Sequence, residues 1–165
     1  PEETGATFLD NARIKARAAV AASGRPALAD DSGLAVRGLD GAPGVESARW
    51  AGPDGDFAHA MQRVHDALER RFDGFERADL ACAFVAVLVL AWPDGHEEVV
   101  EGRLDGTIAW PPRGEGGFGY DPMVVPSGET RTCAELTPEE KGAISHRGRA
   151  ARALLARCWP DAQTG

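Results

Sequence analysis

The feature that most restricts the fold is the run of Ala, Val, Leu and Phe over residues 78–92, stopped by Pro93-Asp94-Gly95 and answered by residues 97–104. An extended segment with almost no polar position suits a strand covered on both faces. Pro-Asp-Gly turns the chain, so 97–104 is expected as an antiparallel partner, continued by 107–110. A hairpin buried in this way needs layers packed against it, and the rest of the chain supplies helices.

Thr7 is a helix N-cap with Asp10 three residues on. Leu9, Ala12, Ala16, Ala19 and Val20 then share a face, and Ser23-Gly24 with Pro26 ends the helix. Phe57, Met61, Val64, Leu68 and Phe72 predict an amphipathic helix over 57–72, ended by Asp73-Gly74, with that stripe in the core. Thr137-Pro138-Glu139-Glu140 carries a cap, a first-turn proline and a capping-box glutamate. Ser145 opens the last helix, which turns Ala150, Ala151, Leu154, Leu155 and Cys158 inward. Segments 27–29 and 34–36 read as short extended pieces with Asp30-Asp31-Ser32-Gly33 at the tip between them. Residues 38–56 read as loop and 123–125 as a strand. The order α, β, β, α, hairpin, β, α defines an α/β or α+β domain with a mixed sheet.

A chain of 165 residues fits one domain, or one domain with two lobes. Its formal charge of −8 repels a nucleic-acid backbone, so no nucleic-acid partner is expected. Cys82, Cys133 and Cys158 match neither a zinc knuckle nor a redox pair. The apolar run is shorter than the ~20 residues a spanning helix needs, and no leader pattern is visible. The expectation is a soluble, cytoplasmic protein with reduced thiols and no membrane association.

Four segments have residues suited to chemistry. The pair Asp30-Asp31 suits a divalent cation or a general base, but Asp and Gly are also ordinary turn residues. Glu2-Glu3 is a second acidic pair, a solvated loop unless the fold brings it to Asp31. The loop 114–122 holds Gly114, Gly116, Gly117 and Gly119 around Phe118 and Tyr120. Its glycines permit close approach to a flat ligand and its aromatic rings could stack on a base; an ordinary turn with core aromatics fits equally well. Segment 140–148 sets Lys141, His146 and Arg147 about a helix start, where a cation opposes the dipole and an anion is favoured. His59, His65 and His96 are expected on the surface.

In order, these segments are Glu-Glu-Thr-Gly-x-Thr-Phe at 2–8, Asn11-Ala12, Lys15-Ala16, Ala29-Asp30-Asp31-Ser32-Gly33-Leu34 and Gly41-Ala42-Pro43-Gly44 with Ser47-Ala48-Arg49. Gly116-Gly117-Phe118-Gly119-Tyr120-Asp121-Pro122, Ala134-Glu135-Leu136 with Glu140-Lys141, and Ser145-His146-Arg147-Gly148 complete the set. Together they resemble the inosine triphosphate pyrophosphatases, also called dITP/XTP diphosphatases, from residue 2 to about 155.

The resemblance implies an α/β fold in which an elongated mixed sheet is flanked by helices in two lobes around a central nucleotide cleft. It also implies a homodimer that hydrolyses ITP, dITP and XTP to the monophosphate and pyrophosphate with Mg²⁺. Asp31 matches the general base and a metal carboxylate. Glu2, or else Glu3, matches the acidic Mg²⁺ position, and Glu2 is preferred. Ser32 matches a substrate contact, and Phe118, Gly119, Tyr120 and Asp121 match the base-binding loop. Lys141, His146 and Arg147 match nucleotide contacts. The family opens with a strand and a loop of Ser/Thr-x-Asn-x-x-Lys type that grips the triphosphate. No such segment precedes Glu2, so the expectation is a single domain over residues 1–165 supplied without that strand and loop. The competing readings are a weakly catalytic nucleotide-binding protein and a related pyrophosphatase acting on dTTP or UTP.

Overall fold

The computed structural model describes residues 1–160. In chain order these form α1 (Phe8–Ser23), β1 (Ala27–Val36), α2 (Ser47–Trp50), α3 (Phe57–Phe72), β2 (Ala81–Ala91), β3 (Glu97–Ile108), β4 (Val124–Pro126), α4 (Pro138–Ile144) and α5 (His146–Cys158). The strands make one sheet in the order β1-β2-β3-β4, with β3 antiparallel to β4 and Ile108 opposite Val124. The α/β architecture expected from the sequence is the one observed.

Local chemistry explains the boundaries. The Thr7 side chain accepts the Asp10 N–H while the Asp10 side chain accepts the Thr7 N–H, a reciprocal cap of about 1 kcal/mol. Gly24 closes α1 in the left-handed region at φ 66°. β2 lies inside the sheet order and is buried along nearly its whole length, which is why it lacks alternation. In β3, burial alternates: Leu104 and Ile108 face inward while Arg103, Asp105 and Thr107 face out.

The chain divides into two compact units. The first comprises Pro1–Ser32, Val85–Arg103 and the chain from Ser145 onward. There Ala86, Leu88, Leu90 and Val100 pack with Ala150 and Leu154 of α5. A side chain at Gly102 would run into the His146 carbonyl and the Ala150 N–H. This bare position lets the first turn of α5 lie directly on β3. The second unit comprises Gly33–Phe84 and Leu104–Ile144. Its core gathers Leu34, Val36, Met61, Val64, Leu68, Phe84, Met123 and Val124.

Four expectations need correction. Ala151 and Leu155 of α5 do not turn inward with Ala150 and Leu154; Ala151 is exposed and Leu155 is 49% exposed. Asp30-Asp31-Ser32-Gly33 is not a turn tip but the middle of the continuous strand β1, because these residues find tertiary partners that a solvated turn lacks. Residues 38–56 are not all loop: they contain a 3₁₀ turn at Gly44–Glu46 followed by α2. His65 is not a surface residue; it stacks on Phe75 at 4.8 Å and on Trp110 at 4.4 Å, while His59 and His96 are exposed as expected. No helix among the described residues is long and apolar enough to cross a membrane.

Candidate functional site

Asp31 turns from β1 toward α1 and is only 8% exposed. Asn11 Nδ2 donates to its Oδ2 at 3.2 Å and Lys15 Nζ donates to its Oδ1 at 3.2 Å. Asn11 and Lys15 stand four residues apart on one face of α1, so a single helical stripe delivers both donors. Asn11 is itself oriented by the Gly5 N–H, which donates to its Oδ1 at 2.8 Å. Lys15 also pairs with Glu3 Oε1 at 2.8 Å. The acidic loop before α1 thereby reaches Asp31 through a shared lysine. Glu3 makes this contact, whereas Glu2 is exposed on the same loop.

Burial pushes the Asp31 carboxyl above the ordinary aspartate value; Lys15 and Asn11 oppose the rise, and Glu3 adds to it. Burial also opposes the charge on Lys15, but the hydrogen bond to Glu3 and the pull of Asp31 outweigh it and raise that amine.

The residues on either side of Asp31 point to the other face of the strand. There Arg147, in the first turn of α5, donates from Nε to Asp30 Oδ2 at 3.3 Å and from Nη2 to Ser32 Oγ at 2.8 Å. Ser145 caps this helix by accepting the Gly148 N–H at 3.0 Å, and His146 is half-buried beside it. The cation that offends the helix dipole is balanced by Asp30. The pair borders a concavity of about 430 Å³ lined also by Leu28, Ala29, Leu88 and Ala151.

A second cluster lies within the other unit. Asp121 is 2% exposed; its Oδ2 accepts the Phe118 N–H at 2.6 Å and pairs with Lys141 of α4. Gly117 and Gly119 hold φ of 75° and 65°, the left-handed values this turn requires. The Tyr120 hydroxyl donates to the Ser47 carbonyl at 2.8 Å inside the core, and burial drives its phenol far above the usual range. Phe118 is 71% exposed. Behind the loop, burial and then the charge of Asp121 push the Cys133 thiol up to about 12, which makes it a packing group rather than a nucleophile.

The predicted residues thus fall into two clusters: Asp31, Ser32, His146 and Arg147 with the acidic loop, and Phe118 to Asp121 with Lys141. Sequence reasoning did not assign Asn11, Lys15, Ser47 or Phe57. Asn11 was findable, since a polar residue interrupts the inward stripe beside Ala12. Glu2, Glu3 and Asp31 are all carboxylates, a hard-oxygen donor set that suits Mg²⁺ and not a softer metal.

The chain matches the Ham1 family model over residues 1–157 and belongs to that family. A Rhodospirillum centenum protein named dITP/XTP pyrophosphatase is 62% identical over 159 residues, covering 96% of this chain and 77% of that one. A protein of the same name from Gluconobacter oxydans is 56% identical over 158 residues, covering 96% and 73%. Among solved structures, a HAM1 protein from Coxiella burnetii superposes with a TM-score of 0.87 at 46% identity, over 93% of this chain and 77% of that one. The nucleoside-triphosphatase / dITP/XTP pyrophosphatase of Mycobacterium abscessus gives 0.78 at 52% identity, over 94% and 80%.

Proposed function

We propose that this protein hydrolyses dITP, XTP and ITP to the nucleoside monophosphate and pyrophosphate, in a Mg²⁺-dependent reaction. The observation that carries the reading is the grip of Arg147 on Asp30 and Ser32, the two neighbours of the buried Asp31. It sets a helix-start cation on one face of a short stretch of β1 whose other face carries the buried Asp31, a carboxylate of raised proton affinity.

Asp31 acts as the general base: a carboxylate with a raised pKa takes a proton from water more readily than an ordinary one. Lys15 orients that carboxylate. Asp31 and Glu2, with Glu3 as the alternative to Glu2, would hold Mg²⁺. When bound, the ion neutralises triphosphate charge that would otherwise repel the attacking water. Ser32, His146, Arg147 and Lys141 contact the nucleotide. Phe118 stacks on the base, and Gly119, Tyr120 and Asp121 shape the loop around it. Donors facing a 6-oxo group reject the amino group of adenine. We further propose a homodimer working in the cytoplasm, where the free thiols of Cys82 and Cys133 stay reduced.

Pyrophosphate release from ITP, XTP, dITP, ATP, GTP and dTTP, measured in parallel with Mg²⁺, tests the reading. The first three should turn over fastest, chelation should stop them, and Asp31→Asn should cost about a hundredfold or more in kcat. A preference for dTTP would point to the pyrimidine-type relatives. Binding without turnover would make the chain a nucleotide-binding protein.

A further inference from the structure

Phe57 opens α3, whose start is fixed by Asp56 accepting the His59 N–H at 3.0 Å. Its ring meets two rings of the glycine-rich loop edge-on. Phe118 lies 5.1 Å away with an interplanar angle of 64°, and Tyr120 lies 5.4 Å away at 81°. A side chain at Gly119, between them in the chain, would meet the same ring at 3.4 Å. The two loop rings differ in what holds them. Tyr120 is buried and tied to Ser47 by its hydroxyl. Phe118 has a fixed backbone, through its N–H to Asp121, but a side chain that is largely in water. A phenyl group so exposed has little to select one rotamer, and an edge-to-face neighbour is the contact that does so.

We propose that Phe57 is a positioning residue for substrate selection. It packs against the largely exposed Phe118 ring in an edge-to-face pair, and so pre-orients that ring for the purine base. Phe57 does not itself touch the nucleotide. This inference rests on the pyrophosphatase reading above, and it adds a residue from outside the loop and its motif. A stacking partner ordered before binding spares the ligand the cost of ordering it, so loss of Phe57 is felt in KM.

The test compares Phe57→Leu and Phe57→Ala with Phe118→Ala and with the Phe57→Ala/Phe118→Ala double variant, using dITP. Phe57→Leu keeps an apolar side chain on the stripe and guards against a variant that fails to fold. The expected result is a KM raised about fivefold with kcat within about twofold, matching the strength of an edge-to-face ring pair. The double variant should be no worse than Phe118→Ala alone. A merely structural role would lower the melting temperature and the active fraction while leaving KM in place. Unchanged KM in both Phe57 variants, or additive losses in the double, would overturn the proposal. The ring signals of Phe118, followed by NMR in nucleotide-free protein, should move toward their averaged values in Phe57→Ala. That readout survives even if no triphosphate is hydrolysed. Absence of turnover therefore sinks the function, and an unmoved Phe118 signal sinks the positioning role.

Discussion

At Asp31, burial and pairing pull in opposite directions. Removal from water raises the carboxyl's proton affinity, while Lys15 and Asn11 bring it part of the way back. The outcome is a basic carboxylate held in one orientation. Tyr120 is the contrasting case. Its place in the loop suggested a substrate contact, yet it is 3% exposed and its hydroxyl is committed to the Ser47 carbonyl. Tyr120→Phe should therefore lower stability by about 1 kcal/mol, since a buried carbonyl loses its donor. That is a fall of ~3 °C for a chain of this size, readable by calorimetry, with KM for dITP near that of the parent. A large rise in KM would instead give the hydroxyl a ligand. The acidic pair, the glycine-rich loop and Arg147 were legible because their residue types are unusual in series. Lys15 stood in the motif set without a role: a lysine on a helix is nearly always solvated, and its bridge between Glu3 and Asp31 exists only once α1 lies against β1.

Elements were legible where local rules and packing agree. The cap at Thr7, the stripe of α3 and the long apolar β2 each carry their own instructions. β1 did not, because Asp, Ser and Gly favour turns and only tertiary partners pull them into a strand. The attachment of α1 to β3 shows a similar dependence on distant residues. Glu97, the first residue of β3, receives Arg13 Nε at 2.9 Å and Arg17 Nε at 2.7 Å. Arg17 first, then Arg13, holds its carboxyl below the usual glutamate value, against the opposing effect of burial. A carboxyl depressed in the folded state stabilises the fold above its unfolded pKa, and that contribution is lost as pH falls through the folded value. Glu97→Gln should lower the melting temperature at neutral pH, with the gap to the parent closing in acid. A gap independent of pH would remove the ion pairs as its cause.

Over the whole molecule, each unit carries its own apolar cluster. The net charge of −8 adds a general repulsion to the local one among Glu2, Glu3, Asp30 and Asp31. A ligand that binds only the folded chain stabilises it in proportion to the logarithm of its concentration over Kd. Mg²⁺ should raise the melting temperature of the parent protein, and Asp31→Asn should lose most of that rise; equal rises in both would move the ion elsewhere. The division into units follows from contacts between segments far apart in the chain, which is why chain length and the family resemblance could suggest two lobes without drawing a border. One consequence follows from the outward ring of Phe118. Every nucleobase has a π-face, so a stacking surface held open to solvent offers adenine and guanine much the same welcome as hypoxanthine. Under the proposed stacking on Phe118, abundant ordinary nucleotides become competitors for the plane. Discrimination must be exercised at the rim of the base, in the heteroatoms it presents, and not across its breadth.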